Sequence, residues 1–288
     1  MAGISTSRLS LRRVVAGGFG ALRANLLMAV ALALFLSAGP SGGLIMLQRA
    51  VEADSRAKPP TITLPLPPAS NERQSAAKLT PIRMVFDATQ VVRLGLFWLA
   101  WLAIVLPMEV LLRGMITATT ISHLSGRRPS VRASAGDGLR QLWPLFLIYL
   151  CSTGGLLLWS LLLVIPAFIM GATWAVAIPS RMVEHTGVFR SFARSAELTK
   201  GNRWAIFGLF VAYCVAFYAV LLTTVAVTGG FRNGFVAGLT GPTTSLYITP
   251  VVSGLGRVVA AAVLVGLYCE LRRVREGIAP GGIEALFD

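Results

Sequence analysis

From Gln141 to Ser180 the sequence runs through forty residues without a charged side chain. As a single helix rising 1.5 Å per residue, that run would be about 60 Å long. The hydrocarbon of a bilayer is roughly 30 Å thick and is crossed by roughly 20 apolar residues. The run must therefore fold back on itself, and Pro166 in "LLVIPAF" is the natural place for the turn. This one feature excludes most soluble folds. Composition agrees: 55% of the chain is hydrophobic and 13% charged, with a mean hydropathy of +0.71. A soluble domain carries about a quarter charged residues.

Four more runs have the length of a span. Between Arg23 and Arg49 no residue is charged, and between Arg93 and Arg113 only Glu109 is. Trp204 to Phe231 is uncharged, and Thr249 to Leu271 carries Arg257 within it. The expectation is an all-α, polytopic integral membrane protein forming a single membrane domain over 1–288. It has about six transmembrane helices, near 24–48, 91–117, 142–164, 166–183, 204–228 and 249–271, plus a short amphipathic interfacial helix. The first run also has the basic start and apolar core of a signal peptide. However, Leu36-Ser37-Ala38 would put a bulky residue at −3 of the cleavage site, and the run continues through "GLIMLQ". An uncleaved helix is expected.

The net charge is +14. Seventeen of the 26 Lys and Arg fall in 1–23, in the segments after the second and fourth spans, and at the C-terminus; seven of the rest lie between Arg49 and Arg93. Lys and Arg accumulate in cytoplasmic loops, so both termini are expected on the cytoplasmic side of a bacterial inner membrane. The basic clusters are expected to face anionic headgroups rather than nucleic acid. Residues 50–81, with "KPPTITLPLPP", read as an extended, mobile periplasmic loop; the alternative is a docking surface for a membrane-protein partner.

Between the fourth and fifth spans lies "VFRSFARSAELTKGNRW". Val188, Phe189, Phe192, Ala196 and Thr199 share one helical face, and Arg190, Arg194 and Glu197 the other. The spacing predicts a helix lying in the interface, ended by Gly201 in the left-handed conformation and followed by Asn202 as the next N-cap. Trp204 then sits at headgroup depth. Arg190, Arg194, Lys200, Arg203 and Trp204 are the candidate lipid-headgroup contacts; the rival reading docks these arginines on the C-terminal "ELRRVREG", with Glu270 and Glu276 as their partners.

The sequence carries no recognisable catalytic pattern. Metal-dependent hydrolysis needs clustered carboxylates and His, but the only two His, His123 and His185, lie in different segments. HExxH, GxSxG and P-loop patterns do not occur. Cys151, Cys214 and Cys269 show no CxxC spacing and read as small buried hydrophobes. No metal, cofactor or enzymatic activity is expected. The ionisable residues within spans are a candidate polar site: Glu109, Arg113 and Arg257. Arg113, one turn beyond Glu109, reads first as its local ion-pair partner, and Arg257 as a side chain that snorkels outward.

The segment "WAVAIPSRMVEHTGVFRSFARSAELTKGNRW" and the later "LYCELRRVREG" resemble the membrane domain associated with bacterial glycerophosphoryl diester phosphodiesterases. The resemblance rests on Pro179, Glu184 and Gly187; on Arg194, Ser195, Leu198, Thr199, Lys200 and Gly201; and on Tyr268, Leu271, Arg272, Glu276 and Gly277. "VVAGGFGALRANLL" and "SGRRPSVRASAGDGLRQLWPL" fit the same pattern. The resemblance implies a helical membrane fold without a known reaction, since the phosphodiesterase of that family is a separate barrel domain. The expected function is that of a non-enzymatic inner-membrane protein packing with lipids or membrane partners in envelope maintenance. The alternative is a transporter or lipid translocator with a polar path near Glu109 and Arg257.

Overall fold

The computed structural model describes residues 9–40, 42–43, 45–46, 49, 88–126, 131–162, 164–229, 232, 234, 238, 241 and 244–277. The segment 50–81, expected as a periplasmic loop, lies outside them. Every regular element among the described residues is helical. These are α1 (Leu11–Ala24), α2 (Leu26–Leu32), α3 (Ala88–Ala100), α4 (Leu106–Leu124), α5 (Val131–Arg140), α6 (Leu142–Leu162), α7 (Val164–Trp174), α8 (Ala177–Glu184), α9 (Val188–Thr199), α10 (Arg203–Val227) and α11 (Thr249–Glu276). Three π-helical stretches, Ala33–Ala38, Trp101–Val105 and Thr244–Ile248, extend α2 and lead into α4 and α11.

Among the described residues, four helices are long and apolar enough to cross a membrane: 95–124, 142–161, 203–227 and 249–276. A fifth crossing exists if α1 and the 26–38 helix count together, although they meet at 88°. The bend falls at the start of the first span expected over 24–48, whose described residues from Leu26 on are helical. The chain turns at Asn25, whose backbone (φ −129°, ψ 34°) leaves the helical region. The expected fourth span, 166–183, is not one helix. It is α7 and α8, separated by turn residues Ala175 and Val176. The break is stabilised from outside: Ser195 of α9 donates to the Thr173 carbonyl (2.7 Å) and accepts from the Val176 N–H (3.3 Å). Two backbone groups freed by the interruption thus find a partner in a side chain.

The reversal expected in the long apolar run is present. α6 ends at Leu162, α7 starts at Val164, and Pro166 sits in the first turn of α7, where a missing N–H costs nothing. Gly155 faces the Trp174 ring, and Gly171 faces Leu156. These two contacts make α6 and α7 antiparallel.

α11 is the centre of the molecule. Its buried residues include Val258, Val265, Leu267, Tyr268 and Leu271. α1 runs antiparallel along it, with the Val14 carbonyl against Gly266 and Gly18 against Ala262. A Cβ on Gly266 would lie 2.5 Å from that carbonyl oxygen, so only glycine lets the backbones come this close. α4, α8, α9 and α10 complete the packing around α11. The outward faces of α6 and α10 are apolar and exposed, as at Leu157, Leu161, Val215 and Val220. Cys151 and Cys214 lie exposed on these helices. Only Cys269 is buried, so the expectation of three buried thiols holds for one of them.

Candidate functional site

At the arginine-rich end of the bundle, charges from three helices interlock. Arg194 of α9 donates from Nε to both carboxylate oxygens of Glu184 (3.0 Å each) and from Nη2 to Glu276. Tyr268 donates its hydroxyl to Glu184 (2.9 Å), and Arg272 donates to Glu276 (2.8 Å). Burial works against the charge on Arg194. The hydrogen bonds and attraction of Glu184 and Glu276 outweigh it, so the pKa of Arg194 is raised. Nearby, Glu270 receives Nε and Nη2 of Arg13 (3.0 and 2.7 Å). The first and last described helices are thus tied together at this end.

α9 packs on the bundle through Ser191, Ser195, Leu198 and Thr199, all buried. Phe192 meets Trp174 edge to face at 5.3 Å. This corrects the face assigned from spacing: Thr199 and Phe192 point into the protein, and small hydroxyl residues, not the apolar stripe, make the seat. Arg194, expected at lipid headgroups, is engaged by Glu184 and Glu276. Arg190, Lys200, Arg203 and Trp204 remain exposed, and with them Phe189. Phe189 and Trp204 are 82% and 81% exposed.

The elbow after α9 follows the expected backbone but is capped differently. Gly201 has φ +86°. Asn202 makes no side-chain capping bond. Arg275 of α11 instead donates to the Lys200 carbonyl, so the last helix fixes the elbow.

Within the apolar part of the bundle, the structure brings Glu109 and Arg257 together. Arg257 donates from Nη1 to Glu109 Oε1 and to Ser37, and Ser37 donates to the same carboxylate oxygen at 2.8 Å. The Glu109 side chain is 5% exposed. Arg113 is not its partner. Its guanidinium lies over the Tyr149 ring, 4.8 Å from the centroid. Nor does Arg257 snorkel away; a buried carboxylate on the neighbouring helix holds it. Glu109 and Arg257 each follow a π-helical stretch in their own helix, and Ser37 lies within one. Such stretches leave backbone bonds irregular and recur where helices carry function. Sequence reading missed Ser37, which there only marked a cleavage site, and Tyr149, which sits in an unbroken apolar run.

Among the described residues, no three of His, Cys, Asp and Glu gather in a metal-binding arrangement. No family model, no curated protein and no solved structure matches the chain.

Proposed function

We propose that this chain is a non-enzymatic, multi-pass protein of the bacterial cytoplasmic membrane that grips anionic lipid headgroups through the elbow between α9 and α10. The observation that carries this reading is the exposed rim of that elbow. Phe189 and Trp204 stand almost free beside exposed Arg190, Lys200 and Arg203, while the rest of α9 is locked to the bundle. Each basic residue near an anionic surface contributes about 1 kcal/mol, and each buried aromatic roughly 1.5–3 kcal/mol. Arg194, already paired inside the protein, belongs to the seat and not to the rim.

The same reading has six crossings with both termini cytoplasmic. α6 and α10 both begin beside arginine-rich segments, so the chain between them must return to the side it left. α7 and α8 together make that return as a broken crossing. Contacts of Glu184, Arg194 and Arg13 with Tyr268, Glu276 and Glu270 at the arginine-rich end of α11 support the shared side.

Lipid contact is tested with a fluorophore on a cysteine replacing Ala193, which is exposed, in a chain without Cys151, Cys214 and Cys269. Emission should shift as the phosphatidylglycerol fraction of reconstituted vesicles rises, and the shift should shrink in an Arg190→Gln/Arg203→Gln variant. Identical emission in phosphatidylcholine and phosphatidylglycerol vesicles would refute the reading.

A second reading, translocation of a polar group, draws on one observation: a buried acid–base pair inside helices long enough to be spans. Charged groups at such depth cost at least about 2.5–3.5 kcal/mol each on insertion scales and are retained where they act on something polar.

A further inference from the structure

The apolar part of the bundle holds three ionisable side chains, Glu109, Arg113 and Arg257, and their charges do not cancel. Glu109 neutralises Arg257. Arg113, one helical turn beyond Glu109, has no ion-pair partner among the described residues. Its Nε is buried without any hydrogen bond. The Tyr149 ring offsets only part of that deficit, since a cation–π contact contributes about 0.5–2 kcal/mol. Tyr213 of α10 reaches into the same region. Its hydroxyl lies 3.0 Å from where a Cβ on Gly256, the chain neighbour of Arg257, would stand. Arg257 is not sealed either, with its side chain 33% exposed.

One group in the cluster has the opposite need. Glu109 Oε2 is buried and accepts no hydrogen bond. Its sister oxygen is saturated by Ser37 and Arg257. The cluster therefore shows an uncompensated cation and an unoccupied acceptor, carried by residues one turn apart on one face of α4. An orphaned buried acceptor costs about 1–3 kcal/mol and more when charged. A single ligand removes both deficits if it brings a negative charge for Arg113 and a hydroxyl hydrogen for Glu109. Monobasic phosphate has this pair of features, and so does a phosphodiester headgroup that ends in a hydroxyl. Sulfate at neutral pH has the charge and lacks the hydrogen.

We propose that Arg113, Arg257, Glu109 and Tyr213 form a binding site inside the bundle for a phosphate-type oxyanion that carries its own hydroxyl. Arg113 supplies the free charge, and Arg257 is held in place by Glu109 and Ser37. Glu109 Oε2 accepts from the ligand hydroxyl, which is what separates phosphate from sulfate. The site stands apart from lipid contact at the elbow and gives the translocation reading its class of cargo. Binding requires no transport, so the two can fail separately.

The test is equilibrium binding to the purified full chain. In a neutral detergent, inorganic phosphate and sulfate are compared at constant ionic strength by the shift in thermal unfolding, which rises with ligand over Kd. In nanodiscs, phosphatidylcholine is compared with phosphatidylcholine containing phosphatidylglycerol. Arg113→Gln should fold, because it breaks no ion pair, and should weaken binding at least tenfold. Glu109→Gln raises the charge of the cluster by one and should tighten sulfate while erasing the preference for phosphate over it. Arg232→Gln, at an exposed residue outside both proposed sites, should leave phosphate and sulfate binding unchanged. Phosphate binding that depends on Arg113 supports a free-anion ligand. Stabilisation by phosphatidylglycerol alone, again dependent on Arg113, supports a lipid ligand. If neither probe stabilises the protein, or if Arg113→Gln responds as the wild type does, the site is overturned. Should Glu109→Gln fail to fold, the Arg113→Gln comparison decides alone.

Discussion

Gly266 is where α1 and α11 come closest, and Gly266→Ala puts one methyl between them. The new Cβ would lie 2.5 Å from the Val14 carbonyl oxygen, whereas ordinary contact begins at 3.4 Å. α1 must therefore retreat by about 0.9 Å. A gap of roughly 0.5–1 Å forfeits a quarter to a half of the dispersion well for the atoms along it. Fully buried Val14 loses contact first. Overpacking of this kind costs about 1–3 kcal/mol. Alanine is also a better helix former than glycine, by up to about 1 kcal/mol. That gain is measured separately by Gly17→Ala and Gly20→Ala, because a Cβ at either position meets no atom within 4 Å. In nonionic micelles titrated with SDS and followed by circular dichroism, Gly266→Ala should unfold at a clearly lower SDS fraction than wild type. Gly17→Ala and Gly20→Ala should unfold at the same fraction or higher. If all three variants unfold together, α1 is not seated by backbone contact on α11 and the packing argument fails.

Two further outcomes are expected. Glu184→Ala removes a carboxylate that receives both Arg194 and Tyr268. It should cost about 1.5–3 kcal/mol, the range for hydrogen bonds to charged groups, since Arg194 keeps Glu276. Glu197→Ala removes a 71% exposed partner 3.8 Å away and should cost less than about 1 kcal/mol; equal losses in the same SDS titration would contradict the network. Topology reporters placed after Gly126, after His185 and after Gly277 should report the cytoplasm, and one inserted between Leu162 and Val164 the opposite side. A cytoplasmic signal at all four positions would remove the broken crossing.

The helices were legible where the signal is local. The charge-free run from Gln141 to Ser180 demanded a reversal, and Gly201 announced the end of α9. What escaped is what distant chain supplies. Spacing along one helix offered Arg113 to Glu109, but the carboxylate is met by Arg257 from α11 and by Ser37, and Arg113 turns to Tyr149 instead. Neither Ala175 nor Val176 is a helix breaker. The interruption there is stabilised by a hydroxyl nineteen residues further on. The buried face of α9 was misjudged for a related reason. Ser191 and Ser195 are polar by composition, yet each spends its hydroxyl on a carbonyl, and so they bury at little cost.

The pairing of α1 with α11 has a consequence for biogenesis. α1 is the earliest described helix to leave the ribosome, and α11 is the last. At about 5–20 residues per second, on the order of ten to fifty seconds separate them. Throughout that interval Val14 and Gly18 lack the surface that buries them, and Arg13 lacks Glu270. The nascent N-terminal segment is thus a client in waiting, needing either the bilayer surface or an insertion factor to shelter its apolar stripe. Premature termination anywhere upstream of Val258 leaves that stripe permanently uncovered, a mark by which quality control could tell an unfinished chain from a complete one.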